Sequence, residues 1–527
     1  MKRNLTWSLI IFAVGVFMGA LDNGIITAAL TTLNRSFGVS PTWGAWTITV
    51  YTLGLAISVP IIGKLSDRYG RKKLFIFEVT LFGLGSLLVA LSPNFTWFLV
   101  SRFIQAMGGG GIFIIASSFV LNTFPREKQG QMLGILGGMN GIASVLGPNI
   151  GSFILNMTGS WHWLFLINVP IAITLAVLGM KFIHEEQKLT EARLDYAGVV
   201  VLSMAVLSMM YGLTKLDGVN VIDSLTSGSF LGFIALGLVL FVILVFVERG
   251  VQKSSKDPIL PTFLFKDGVF CWTLFYAMLS GTIIASIIFV PGFIEQYLGV
   301  DSAVSGYWFT PLALAAGAGA ALGGRLVDRK GSVFTMLTAS AIAAIGFLLF
   351  AVWVEHIWQM VIASCMVGVG FGSMLGAPVN ILATENAGDN KGIALATTSL
   401  SRQIGLTLAP TLFAGFLARS FMHMGDAIQS HLSEAHIQAD AGAMPAMTGQ
   451  MDFSTLQAGF AHIQDPSTKQ PMMDALHEVA GRGYHGLFYT AMTICILLFV
   501  TTVVIGVVRK NKMGSHPQHQ QLQHDYK

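Results

Sequence analysis

Apolar stretches of roughly twenty residues recur along the whole chain, each separated from the next by a short cluster of charge or of Gly, Pro and Asn. A helix rises about 1.5 Å per residue, so about twenty apolar residues cross the hydrocarbon core of a bilayer. A window of that length predicts fourteen spans, near 7–33, 43–63, 74–91, 96–121, 130–156, 162–183, 196–215, 229–248, 269–290, 303–324, 333–353, 357–379, 392–418 and 486–508. The first follows Met1-Lys2-Arg3, which resembles the start of a signal peptide, but its apolar run to about Leu33 is long enough to span and predicts a retained helix.

Charge supports the same count. With the N-terminus in the cytoplasm, alternate loops collect about 24 of the 31 Lys and Arg residues on the cytoplasmic side and about 5 outside. The even number of spans puts the tail, with Arg509, Lys510 and Lys512, on the cytoplasmic side too. One cytoplasmic stretch, Gly63-Lys64-Leu65-Ser66-Asp67-Arg68-Tyr69-Gly70-Arg71-Lys72-Lys73, packs five cations and one carboxylate into eleven residues. A shorter echo, Gly324-Arg325-Leu326-Val327-Asp328-Arg329-Lys330-Gly331, follows 261 positions later. The first copy follows the second span and the echo follows the tenth, so eight spans lie between them, where a duplication of six would leave six. The expected architecture is all-α: a six-helix bundle over 1–183, two inserted helices with cytoplasmic linkers over 184–268, and a second six-helix bundle over 269–508. That second bundle carries an outer loop, 420–485, and a cytoplasmic tail of 509–527 whose Gln- and His-rich end reads as disordered.

Composition narrows the function. At 53% hydrophobic and 11% charged residues, the chain has too little polar surface to coat a soluble globule of 527 residues. A net charge of +4, with its cations beside apolar segments, fits headgroup anchoring and leaves nucleic acid aside. Cys271, Cys365 and Cys495 each lie inside an apolar segment without CxxC spacing, which indicates small core residues and neither a disulfide framework nor a metal site. The outer loop holds His423, His431, His436, His462, His477 and His485 at spacings that match no compact ligand set, so they read as titratable surface groups, with a pH-responsive or partner-binding cap as the alternative. No phosphate-binding loop of the Gly-x-x-x-x-Gly-Lys-Ser/Thr kind is present, so a proton gradient is the expected driving force, with no cofactor.

The basic hinge resembles the loop between helices two and three of the major facilitator superfamily, and the fourteen-helix count resembles its drug:proton antiporter branch. Further stretches carry the likeness: Leu21-Asp22 in helix one, Arg102-Phe103-Ile104-Gln105 in helix four, Gly141 to Ser152 with Gly147-Pro148-Asn149-Ile150-Gly151 in helix five, and Trp161 to Pro170 at the entry to helix six. Glu295-Gln296-Tyr297-Leu298-Gly299 and Ser401-Arg402-Gln403-Ile404-Gly405 match in the second half, so the resemblance covers about 5–508. The chain departs from the family pattern at Ala106, at Gly151-Ser152 in place of a Gly pair, and at Gly24, Thr27 and Thr31 in helix one. The resemblance implies an exporter of amphiphilic, cationic small molecules in the membrane of a bacterial cell, exchanging them for protons. A dedicated exporter of one metabolite or lipid-like molecule and a non-transporting sensor or scaffold are the other two readings.

An ionisable side chain inside a bilayer persists where it faces a cavity or a partner. Asp22 and Arg102 are therefore the first candidates for proton coupling. Asp22 is either a site where a proton and a cationic substrate compete or a permanently charged partner of Arg102; Arg102 either biases that carboxylate or forms a strut with Gln105. Asp22, Asn23, Gln105, Asn140, Asn149, Glu295, Gln296 and Arg402 form the substrate-binding candidates, with Arg402 alternatively reaching backbone carbonyls. Glu78 is expected to pair with Lys72 or Lys73 at the interface, and Asp195 to cap the seventh span. Gly141, Gly147 and Gly151 leave one face of helix five without side chains, and Pro148 permits a bend; the resemblance implies that this face seals a proton leak. Asp67 is placed to meet a helix N-terminus. The resemblance further implies that Gly63, Asp67, Arg68, Gly70 and Arg71, echoed by Asp328 and Arg329, form a latch closing the cytoplasmic side, with the start of helix thirteen near Lys391 as partner. Without the trailing cations in the echo, the latch is expected to be asymmetric.

Overall fold

The computed structural model describes residues 2–184, 193–252, 256–257, 259–300, 306–434, 453–461, 463 and 465–514. The first half contains α1 (Lys2–Phe37), the short α2 (Pro41–Gly44), α3 (Trp46–Tyr69), α4 (Arg71–Ala90), α5 (Phe95–Gly109), α6 (Ile112–Thr123), α7 (Arg126–Thr158), α8 (His162–Leu166) and α9 (Asn168–Phe182). The inserted pair is α10 (Tyr196–Leu213) and α12 (Gly228–Gln252), joined through α11 (Val221–Thr226). The second half holds α13 (Gly268–Ile287), α14 (Val290–Gln296), α15 (Thr310–Lys330), α16 (Ser332–Val352), α17 (Ile357–Leu375), α18 (Ala377–Thr384) and α19 (Lys391–Phe421). Two further helices, α20 (Met424–Glu434) and α21 (Phe453–Ala461), precede the last, α22 (Pro466–Gly514). The linkers flanking the inserted pair meet in a two-residue parallel pairing, β1 (Arg193–Leu194) with β2 (Lys256–Asp257).

Among the described residues, thirteen helical segments are long and apolar enough to cross a membrane. They coincide with thirteen of the fourteen expected spans. The remaining one, the fifth, is α7, a 33-residue helix whose Gly, Asn and Gln content lowers its hydropathy; it packs against other helices and needs less apolar surface. Several spans are broken in two, as α5 and α6 are at Gly110 and Gly111.

One apolar core holds most of the first half, reaches the inserted pair through Leu202, Val206, Met210 and Leu244, and takes in Phe270, Val327, Ile393 and Leu395 of the second half. A smaller one in the first half lies around Ile25, Phe98 and Trp161, and the rest of the second half packs in a third. The inserted helices pack on each other, and α10 also lies against α3 and α19. Leu238, Val239, Val242 and Phe246 of α12 are exposed, as suits a helix at the rim of a bundle facing lipid. Asp195 stands at the start of α10, but its carboxylate makes no capping bond and its Oδ2 has no partner among the described residues. The expected side-chain cap is therefore absent. Glu248 instead closes this corner, its Oε1 accepting from the N–H groups of Ile259 and Leu260 at 2.9 Å each.

The segment before the last span, expected to face outward, is helical over most of its described residues. Helices α20 and α21 pack on the first part of α22 around Ile428, Leu432, Phe460, Leu476 and Val479, a core separate from those of the bundles. Of the six histidines, His431 bonds Glu478 at 2.6 Å and His477 donates from Nδ1 to the Gln296 carbonyl at 2.8 Å. His436, His462 and the tail beyond Gly514 lie outside the described residues.

The halves meet at the end of the molecule where α1 begins and α22 finishes, and the two repeated hinges lie in the junction. Asp67, at the end of α3, accepts from the N–H groups of Gly392 (3.0 Å) and Ile393 (3.1 Å) in the first turn of α19. Asp328, at the end of α15, accepts from Gly130 (2.7 Å) and Gln131 (2.8 Å) near the start of α7. Each carboxylate thus receives two backbone N–H groups from the opposite half, Asp67 in the first turn of α19 and Asp328 just beyond the first turn of α7, on the side of each helix where the peptide dipoles favour negative charge. Glycine makes the approach possible. A Cβ on Gly63 would stand 2.5 Å from the Ala396 side chain, and one on Gly324 would stand 2.3 Å from the Gly130 carbonyl oxygen. Gly70 (φ 90°) and Gly331 (φ 85°) turn the chain after each hinge in the same left-handed conformation.

The expected asymmetry is therefore confined to the cations. Arg71 donates to Ser118 at 3.1 Å, and Lys391 crosses between halves to the Leu121 carbonyl at 2.9 Å. Arg329 in the echo is exposed, and Arg68 lies over the ring of its neighbour Tyr69. Asp67→Asn keeps the shape and removes the charge. A loss of about 1.4 kcal/mol, within the range of a charge at a helix end, is about a tenfold shift toward separation of the halves. The expected outcome is faster thiol labelling of Ala320→Cys, buried between α15 and α7, in a chain whose three cysteines are replaced by Ser. Asp328→Asn is expected to act in the same direction and by a similar factor; unchanged labelling in both would remove the carboxylates as closing contacts.

Candidate functional site

Asp22 lies in the middle of α1, where the apolar sequence on either side fixes the helix in the bundle and leaves its carboxylate fully buried. Three polar side chains from two other helices bond it, and a fourth from a third helix bonds one of these. Arg102 of α5 donates from Nη1 to Asp22 Oδ2 at 2.6 Å and to Gln105 Oε1 at 2.6 Å. Gln105 Nε2 donates in turn to Asp22 Oδ1 (2.8 Å) and to Ser86 Oγ of α4 (2.7 Å). Asn168, at the start of α9, adds a 3.1 Å bond to Asp22 Oδ1. All five side chains are inaccessible to solvent.

The aromatic floor completes the site. The Arg102 guanidinium carbon stands 4.1 Å from the centre of the Tyr51 ring and 5.5 Å from that of Phe165, within the range where a ring face attracts a cation. Arg102 Nε and Nη2 have no hydrogen-bond partner among the described residues. The buried pair is thus matched in charge while part of the guanidinium rests on rings. Removing one partner of such a pair leaves an isolated buried charge, which costs about 3–5 kcal/mol.

The remaining candidates do not join this cluster. Asn23 is exposed, one residue and about 100° round α1 from Asp22. Asn140 and Asn149 are half-buried on α7. Gln105 makes three hydrogen bonds, and the Asp22 carboxylate is buried and hydrogen-bonded in this conformation. In the second half, Arg402 donates from Nη2 to the Leu375 carbonyl at 3.2 Å, at the break between α17 and α18. This is the backbone contact named as its alternative. Gln296, at the end of α14, accepts from the Tyr484 hydroxyl at 3.1 Å, and Glu295 beside it is half-buried.

The glycine face of α7 divides between two neighbours. A Cβ on Gly147 would lie 2.4 Å from Cα of Gly24, and one on Gly24 would lie 3.1 Å from Cδ of Pro148, so α1 and α7 touch backbone to backbone beside the Asp22 helix segment. Gly24, a departure from the family pattern, is explained by that contact. Gly141 instead faces Ala316 on α15, while Gly151 is buried. Helix α7 runs through Pro148 without interruption.

Glu78 departs from its expected place. It is fully buried, away from Lys72 and Lys73, and its Oε2 accepts from the Gly111 N–H at 2.8 Å. Ser86, Asn168 and Tyr51 were not singled out as site residues. Asn168 stood within the matched stretch Trp161 to Pro170, and its polar side chain in an apolar run was the available signal; Ser86 and Tyr51 carried none.

A family model described as Major Facilitator Superfamily matches residues 12–410. An uncharacterised MFS-type transporter of Bacillus subtilis, YfiU, is 53% identical over 511 residues, covering 97% of this chain and 98% of its own. Multidrug resistance protein 3 of the same organism is 28% identical, covering 94% of each chain. Among solved structures, the human organic anion transporter MFSD10 matches in fold with a TM-score of 0.55 at 15% identity, covering 93% of this chain and 99% of its own. Two six-helix halves joined by repeated hinges, and this match over most of the length, place the chain in the major facilitator superfamily, as a transporter and not an enzyme.

Proposed function

We propose that the protein is a proton-coupled antiporter that exports amphiphilic, cationic compounds from the cytoplasm by alternating access. The observation that carries the reading is the buried Asp22–Arg102 pair, held by Gln105, Ser86 and Asn168 and backed by Tyr51. The distribution of Lys and Arg supports a cytoplasmic location for the end where α1 begins and α22 finishes, and relatives named for multidrug resistance support the substrate class.

The coupling follows from charge. With Asp22 ionised, the pair is neutral as a whole and a cationic substrate near it meets no net repulsion. A proton entering from outside neutralises Asp22 and leaves Arg102, which cannot give up its own proton, as a net positive charge inside the membrane. That charge repels a bound cation and favours its release outward. Proton and substrate are thus mutually exclusive without touching the same atoms. The hinge carboxylates Asp67 and Asp328 hold the cytoplasmic side shut while this exchange proceeds.

Asp22→Asn mimics the protonated carboxyl and is expected to lower pH-gradient-driven movement of ethidium in proteoliposomes at least tenfold. Full movement by the variant would sink the coupling role. Arg102→Lys keeps the charge but loses the planar donors that meet Asp22 and Gln105, and is expected to be similarly impaired. Deletion of 426–469, which removes much of the outer helical unit, is expected to leave ethidium export in place; loss of export with an intact fold would make that unit part of the transport machinery.

A further inference from the structure

Glu78 is a buried carboxylate that the coupling scheme leaves unused. It is the eighth residue of α4, flanked by apolar turns, and is fully buried. Among the described residues its one hydrogen bond is from the Gly111 N–H to Oε2, and Oε1 has no partner. Gly111 stands immediately before α6, a twelve-residue helix, at the break that separates it from α5. The charged and titratable groups on the helices packed against α4 do not bond it. These are Tyr51, Lys64 and Asp67 on α3, Arg102 on α5, His162 on α8 and Lys181 on α9, besides the charged ends of α3 and α4. Helix α6 supplies no charged side chain.

An ionised carboxylate in hydrocarbon without a cation is costly, and one N–H bond offsets only part of that cost. A proton on Oε1 removes the charge and leaves Oε2 accepting from Gly111. The surroundings are built to hold this geometry. A Cβ on Gly111 would stand 2.8 Å from Glu78 Oε2 and 2.1 Å from Ile62, and one on Gly108 would stand 2.3 Å from the Phe82 nitrogen. The glycine run Gly108 to Gly111 therefore lets the broken helix press directly on α4 and, through Gly110 and Gly111, on Ser58 and Ile62 of α3. Ser86, which bonds Gln105 in the Asp22 cluster, lies two turns further along α4, about 12 Å by helix rise.

We propose that Glu78 is a second intramembrane proton-binding site, standing on the same α4–α5 seam as the Ser86–Gln105 bond of the Asp22 cluster and opened or closed by movement at the Gly110–Gly111 break. Loading takes one proton from water and forms an O–H bond on the carboxyl group. Release returns the proton to water and leaves the anion, when displacement of α5 and α6 against α4 admits solvent. The site concerns proton occupancy alone and stands whether or not Asp22 couples transport.

The test is infrared spectroscopy of full-length protein in liposomes, following the carbonyl stretch of protonated carboxyl groups from about pH 5 to about pH 10, a range in which exposed carboxylates of ordinary pKa near 4.3 are ionised. Wild type is expected to keep a carboxylic-acid band above neutrality that is missing from Glu78→Gln and present in Asp22→Asn. A spectrum in which Glu78→Gln loses an ionised-carboxylate band instead, or loses no band, overturns the proposal. Glu78→Asp retains the acid and serves if the glutamine variant does not fold: its band is expected to shift in position or pH dependence, and an unshifted band also overturns the proposal.

Discussion

Hydrocarbon offers no solvent to a charge, so every ionised group within a transporter needs a partner from the protein itself. The Asp22–Arg102 pair meets that demand with ligands drawn from α1, α4, α5 and α9 and a ring from α3. The first half is consequently tied together at its polar centre as well as by its apolar core. Apolar packing alone distinguishes poorly between helix faces when lipid is as greasy as the interior; a hydrogen-bonded cluster fixes which faces meet. The same demand governs the hinges, where carboxylates are satisfied by helix starts of the opposite half. The charges that stabilise each half and those that join the halves are therefore separate sets, and one can change without dismantling the other.

The sequence displayed the large features because they rest on strong, local signals. Apolar length revealed the spans, and the repeated Gly-x-x-x-Asp-Arg pattern at Gly63 and Gly324 revealed the duplication and the two inserted helices. Asp22, Arg102 and Gln105 were visible because charge and amide groups are rare in apolar runs. What was hidden depended on direction or on distant partners. Glu78 is close in sequence to Lys72 and Lys73, but α4 turns its side chain into the bundle toward Gly111. Asp195 occupies a cap position whose backbone geometry does not deliver a capping bond. Ser86 and Tyr51 are ordinary occupants of membrane helices, and only the fold brings them to Asp22 and Arg102.

Glycine has two distinct uses here. At Gly24 with Gly147, and at Gly130 with Gly324, it lets helix backbones touch; the first contact lies within a half and the second between halves. Helix α7 takes part in both, packing along α1 and along α15. Its low hydropathy is the cost of this position, since small and amide residues replace the bulky apolar ones that a lipid-facing helix would carry.

The last helix, α22, continues without a break from the outer helical unit to the end of the molecule where α1 begins. Its 49 residues span about 74 Å at helical rise, more than twice the thickness of the hydrocarbon core. The outer unit is therefore mounted on a stiff shaft belonging to the second half. A compact binding protein seated on α20 and the exposed start of α22 would turn with that half, giving imaging a fiducial mark on a molecule made mostly of membrane-spanning helices.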